Sequence, residues 1–597
     1  MDDDDPWGDQ LTDDWFEADT EVEPGDTNVQ VAGMDVQPHV FFISLAVIVA
    51  FILVTLFYPG DLMASVFGEG FATAEGAFGW VQGGIAGNFS WFYILAVNLF
   101  IVVVLFFAFS RFGKIRLGGV DAEKEFSDIS WVAMLFSAGM GIGLMFWSVG
   151  EPLFHFADPL LGAEGETAAG AEVGMAITYF HWGFHPWAIY GLVGLGLAFF
   201  SFNRGLPLTF RSVFWPVLGD RIYGWPGHVI DILTIFATLF GIATSLGLGA
   251  LQISAGLEFL GDEVVGAPVP SGTGAQVAII AVITLIALLS VGAGLDKGIR
   301  RLSNLNVALM FVMLATILVV GPTVFVLGLF PQALGTYLSN FPELALWADS
   351  FGGAPYDGWL DAWTVFYWGW WISWSPFVGL FIARISRGRT VREFVAGVLI
   401  LPAIFSFFWM AAFGGTALHF ELFTEQGIMG TVFDVGEEVA MFELFTLLPF
   451  TVILSVLAVI LVTTFFVTSS DSGSLVLGHL SSGGKHDAPR NQRIAWALAE
   501  GVIAAVLLIG GGLGALQTAA ITAGLPFALV LVFLCYSLYL GLAKEYRTLE
   551  SDEFADWIDE IADERDVVVR KTGSGVVTNI EDQGGAGGTG GTADDDD

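Results

Sequence analysis

Long apolar runs separated by short polar connections dominate this chain. About 20 helical residues at ~1.5 Å each cross ~30 Å of hydrocarbon, and runs of that order lie near 39–58, 89–110, 129–149, 173–201, 228–260, 276–293, 303–330, 361–383, 393–417, 441–470, 491–511 and 513–541. The pattern predicts an all-α polytopic membrane protein with twelve transmembrane helices. All 22 Lys and Arg residues fall in alternate connections or in the C-terminal segment, whereas 59–88, 150–172, 261–275, 331–360 and 418–440 carry none. Basic residues collect on the cytoplasmic side, so both termini are expected there. Three parts follow: an acidic, disordered cytoplasmic tail over 1–38, a twelve-helix body over 39–541, and an acidic cytoplasmic tail over 542–597. No basic segment precedes the first run, which therefore reads as an uncleaved span.

Composition narrows the class. With 55% hydrophobic and 14% charged residues, the chain lies far from a soluble globular protein, for which about 45–50% and 25% are usual. The net charge of −39 and the scattered basic residues leave nothing to track a phosphate backbone, so nucleic acid is not an expected partner. Acid excess on nearly every exposed segment suits a cell bathed in concentrated salt, where screening removes self-repulsion. The lone Cys535 has no intrachain disulfide partner. Nucleotide-binding, zinc-peptidase and serine-hydrolase motifs are missing, so neither catalysis nor ATP-driven pumping is expected. His181 and His185 stand at i, i+4, a spacing that suits two metal ligands, but no acid or cysteine accompanies them in the sequence nearby.

Four segments carry candidate chemistry. In SAGMGIGLMFWSVGEP, Gly139, Gly141 and Gly143 alternate before Pro152, which lets a span unwind around a solute; close helix packing is the alternative use of small residues. In FHWGFHPWAIY, a continuous helix would set Trp182, Trp187 and Tyr190 on one face about 140° wide. In WTVFYWGWWISWSPFVG, Trp363, Tyr367, Trp370, Trp374 and Phe377 share about 80° of arc, with Trp371 beside them and Pro376 interrupting the helix ladder. A quaternary ammonium has no N–H to donate and is recognised by aromatic faces. Rings in mid-span fit that use better than an interfacial belt. In FFVTSSDSGS, Thr468 and Ser469 offer adjacent hydroxyls to a small cation, or to their own backbone.

Taken together, GMGIGLMF with GEP, HWGFHPWAIYG, WWISWSPFVGLFIARISRGRT and TSSDSGS resemble the betaine/carnitine/choline transporter family, in order across 39–541. The resemblance implies two inverted five-helix repeats, a homotrimer in the plasma membrane, and substrate between broken helices near the midplane. It implies a substrate cage of Trp182, Trp187, Tyr190, Trp370, Trp371 and Trp374. It implies Na+ as coupling ion, with no organic cofactor, held by backbone oxygens of Ser137 and Met140 together with Phe465, Thr468 and Ser469. A second sodium would use Thr238 and position 242 near Phe377, but Ile242 has no side-chain oxygen to offer. Choline-selective relatives resemble one another in an aspartate where this chain has Gly143, which favours the zwitterion betaine here. The expected function is sodium-coupled uptake of glycine betaine or a related quaternary-ammonium solute. Proton-coupled choline or betaine uptake through Glu500, an acid within a span, and carnitine-type exchange are the alternatives.

Overall fold

The computed structural model describes residues 13–20, 22–139, 141–293, 296–351, 358–424, 426–485, 488–564, 567–571 and 576–582. The helices that build the body are α1 (Pro38–Leu56), α2 (Ala74–Phe109), α3 (Asp128–Gly139), α4 (Ile142–Ala157), α5 (Ala168–Trp182), α6 (Phe184–Phe202), α7 (Trp225–Leu260) and α8 (Thr273–Ala293). They continue with α9 (Asp296–Val320), α10 (Thr323–Ser339), α11 (Phe366–Arg384), α12 (Val391–Phe423), α13 (Thr451–Ser481), α14 (Arg490–Leu549) and α15 (Asp552–Glu564). Only two short antiparallel hairpins, Val29–Val31 with Met34–Val36 and Val567–Lys571 with Val577–Asp582, depart from this helical plan among the described strands. Helical hydrogen bonding within one segment satisfies the backbone where no water reaches it.

Nine helices among the described residues are long and apolar enough to cross a membrane. The differences from the twelve apolar runs have local causes. The third run is divided: α3 stops at Gly139 and α4 starts after Gly141, whose φ of −164° is extended. In the eighth run, α11 has 19 residues but is crowded with tryptophan and serine, so it is missing from the apolar set. The last two runs follow one another along α14 as two helices that meet at a kink, where Gly511 and Gly512 have non-helical backbone; Gly512 has φ +59°, a conformation that suits glycine. The seventh run is cut short at Val320, because Gly321 and Pro322 separate α9 from α10.

Long helix α7 packs along α11, α13 and α14, while α4 packs on α5 and α12. At the ARISRGRT segment, Arg389 pairs with Asp128 at 2.7 Å and lies 4.0 Å over the Trp131 ring. The Arg389 guanidinium, and then Lys124, hold the Asp128 carboxyl below its ordinary range. Gly388 turns there with φ +79°, and a Cβ on it would meet the Glu123 carbonyl oxygen at 2.1 Å. The acidic ends, expected as disordered tails, carry local structure where described. Trp15 and Phe16 rest edge-on against Phe554 of α15, each with ring centroids 5.4 Å apart. Buried Glu545 pairs with Arg204 at 2.7 Å.

Pro376 lies inside α11 without breaking it. Its ring supplies no N–H to the Ile372 carbonyl one turn back, and the Ser375 hydroxyl donates to that carbonyl at 2.7 Å instead. Ser375→Ala should therefore leave the carbonyl unpaired in a buried helix. It should lower the unfolding midpoint in detergent by the equivalent of about 1–2 kcal/mol, with Ser375→Thr close to wild type; equal midpoints for Ala and Thr would refute this role.

Candidate functional site

Three stretches of chain converge on one buried site: the start of α4, the junction of α5 with α6, and the middle of α11. The glycine segment supplies the break between α3 and α4, so the N–H groups of Ile142, Gly143 and Leu144 belong to the opening turn of a helix, whose first N–H groups find no carbonyl within that helix. Gly143 sits against the rings. A Cβ there would lie 2.6 Å from Cη2 of Trp370 and 3.0 Å from Cη2 of Trp182, so only glycine lets both indoles close on this helix without moving.

The rings form a box. Trp182 stands edge-on to Trp371 with centroids 4.9 Å apart and to Trp370 at 6.3 Å. Trp370 and Trp371 stack at 4.6 Å, and Tyr190 meets Trp371 at 6.4 Å. Trp187 reaches the group through Tyr190, edge-on at 5.4 Å. All five rings are buried. Trp374 is half-buried and meets Phe377 edge-on at 5.1 Å. One continuous arc does not describe the fourth run, because the chain breaks at Gly183 between α5 and α6 and Trp182 is set separately from Trp187 and Tyr190.

Behind the box lies a group that sequence reasoning missed. Glu151 on α4 has no exposed surface and gathers donors from three helices. Its Oε2 accepts from Trp182 Nε1 at 2.7 Å and from the Tyr367 hydroxyl at 2.5 Å. Its Oε1 lies 2.7 Å from His181 Nδ1 and 3.3 Å from His155 Nε2. The far nitrogen of His181 pairs with Thr364 Oγ1 at 3.1 Å, and Trp371 Nε1 donates to the His181 carbonyl at 3.0 Å. Trp370 Nε1 donates to Ser245 Oγ at 3.3 Å. The apolar run of the sequence ends at 149 and leaves Glu151 in a connection, whereas α4 continues to Ala157. An acid inside a span needs a partner, and that rule, applied with the correct boundary, would have singled it out.

The histidines are corrected likewise. His181 does have a carboxylate beside it, and Glu151, His155 and His181 place ligand-type atoms within 4.8 Å of one another. His185 is directed elsewhere, to Asn98 at 3.5 Å. These contacts read as a hydrogen-bonded cluster in which the carboxylate is saturated.

Only part of the expected sodium site can be described. Met140 and the Ser137 side chain, with Gly139, lie outside the described side chains. On α13, Phe465 is buried and Thr468 and Ser469 are half-buried; the Thr468 hydroxyl donates to the Thr464 carbonyl at 3.0 Å and the Phe465 carbonyl at 3.1 Å. At the doubtful second site, the Thr238 hydroxyl is spent on the Thr234 carbonyl at 2.7 Å. Ile242 instead faces Gly473 and the neighbouring Glu500. Glu500 is fully buried and accepts from Ser470 Oγ at 2.8 Å.

Among the described residues, nine helices long and apolar enough to cross a membrane accompany this buried cluster of rings, which is the make-up of a multi-pass membrane protein. Residues 39–547 match the family described as BCCT, betaine/carnitine/choline family transporter. The chain belongs to that family. It is 46% identical over 532 residues to glycine betaine transporter 1 of Vibrio parahaemolyticus, covering 88% of this chain and 97% of the relative. It is 44% identical over 539 residues to a glycine betaine/proline/choline/ectoine transporter of the same bacterium, with 88% and 91% covered. It is 43% identical over 479 residues to a glycine betaine transporter of Bacillus subtilis, with 80% and 91% covered. These relatives are bacterial, so they carry the family and not the salt-rich host suggested by the acidic composition.

Because Gly143 leaves no room for a Cβ, Gly143→Ala should push the Trp370 ring aside. The expected result is a stability loss of about 1–3 kcal/mol together with a changed tryptophan emission spectrum. An unchanged spectrum and midpoint would show that the rings are not held against this helix.

Proposed function

We propose that the protein takes up glycine betaine, or a related quaternary-ammonium compatible solute, by sodium-coupled alternating access. The observation that carries this reading is the buried box of Trp182, Trp370, Trp371 and Tyr190, with Trp187 behind Tyr190. Aromatic faces attract a cation that has no N–H to donate. The N–H groups of the opening turn of α4 suit the carboxylate of a zwitterion. Gly143 adds no second charge to the cage wall, which favours betaine over choline.

The coupling ion in this reading is Na+, bound between the α3–α4 break and Phe465, Thr468 and Ser469 of α13. Hard oxygen donors of this kind suit a small cation. The same reading keeps twelve spans in two inverted five-helix repeats, a homotrimer in the plasma membrane with both termini in the cytoplasm, and osmoprotection in a salt-rich habitat. The break at Gly141 is the hinge against which one bundle rocks. Proton coupling is the second reading, favoured by one observation: Glu500 is buried in α14 with a single hydroxyl donor, Ser470.

Labelled glycine betaine uptake into proteoliposomes separates these readings. Accumulation should require an inward sodium gradient and should fall about 5- to 30-fold in Trp371→Ala, the loss of one desolvated cation–π contact being worth about 1–2 kcal/mol. Thr468→Val should raise the sodium concentration needed for half-maximal uptake. Accumulation driven by a proton gradient alone, or only by substrate preloaded inside, would overturn sodium coupling; no uptake under any gradient would overturn the transport assignment.

A further inference from the structure

The saturated carboxylate behind the box has a use that hydrogen bonding alone does not exhaust. Among the described residues, the ion-pair contacts of Glu151 are with His155 and His181, and no lysine or arginine touches it. Oε2 accepts from both Trp182 Nε1 and the Tyr367 hydroxyl, and Oε1 faces ring nitrogens of His181 and His155, a set of donors that suits the ionised carboxylate. A buried negative charge without a permanent cation is costly, and the nearest place for a mobile cation is the box whose wall it holds. The Trp182 indole spans the two: its Nε1 end touches Glu151 and its Cη2 edge reaches the position of Gly143.

We infer that Glu151 is the counter-charge of the quaternary-ammonium site. This rests on the proposed function and deepens it. The carboxylate acts on the bound cation in two ways. Its field crosses a water-free path of rings, where screening is weak. Its hydrogen bonds from Trp182 and Tyr367 also polarise those rings, because donation from an indole N–H or phenol O–H to an anion shifts electron density toward the ring face. Glu151 is thus a positioning residue for two rings and a specificity determinant for positive charge. The opening turn of α4, at Ile142–Leu144, and Glu151, two turns further along the same helix, give the site opposite polarities at its two sides. A zwitterion is held in one orientation by that arrangement.

The test separates charge from scaffolding. Glycine betaine and tert-butylacetate share shape and carboxylate but differ in whether the head carries a positive charge. Calorimetric titration of the purified protein with each gives a preference ratio. In Glu151→Gln the preference for betaine should shrink by about 10-fold, with tert-butylacetate affinity within about 2-fold of wild type. Tyr367→Phe keeps the charge and should keep the preference within about 3-fold. If Glu151→Gln weakens both ligands alike, or neither, the counter-charge role is overturned. If Glu151→Gln does not fold, Glu151→Asp retains the charge and should retain the preference, and its loss there would equally overturn the role. Wild-type protein that binds neither ligand, or both alike, would instead overturn the quaternary-ammonium reading itself.

Discussion

One buried carboxylate sets the geometry on which the site depends. Glu151 has no exposed surface, so each lone pair must be met by protein. It is met from α5 by Trp182 and His181, from α11 by Tyr367, and from its own helix by His155. Those contacts fix three helices relative to one another at the level of the box. Losing one donor leaves a buried anion partly unpaired, at a cost of about 1–3 kcal/mol. The aromatic walls are therefore held by polar bonds at their rims as well as by stacking, with Trp370 tied to Ser245 and Trp371 to the His181 carbonyl.

The helices that carry the box obey a second constraint, that backbone groups in hydrocarbon pair within the protein. Ser375 replaces the donor that Pro376 lacks, so the tryptophan helix continues through its proline. Where the chain does open, at Gly141 and at Gly183, the freed backbone borders the rings. Irregular backbone at membrane depth is tolerated where it lines a buried cavity. The departures from regular helix and the aromatic box are two sides of the same arrangement.

Much of this was legible in the sequence. Apolar run lengths located the helices, and ring spacing with the glycine segment located the box. One misreading arises because periodicity assumes one unbroken helix. The break at Gly183 separates Trp182 from Trp187. Glu151 was hidden because hydropathy falls at Gly150–Glu151–Pro152 while the helix does not end until Ala157. His181 gained a carboxylate partner from 30 residues away in sequence, a contact no local spacing reveals. Pro376 interrupts the hydrogen-bond ladder as expected, and the neighbouring serine's hydrogen bond, which no sequence pattern shows, keeps the helix continuous.

The most direct measurement is an experimental structure of the protein with glycine betaine and sodium bound. The account predicts the ammonium nitrogen within about 6 Å of the Trp182 and Trp371 ring centroids, on the side backed by Glu151, with the carboxylate toward the first turn of α4. Betaine bound outside the box, or bound in the reverse orientation, would contradict it.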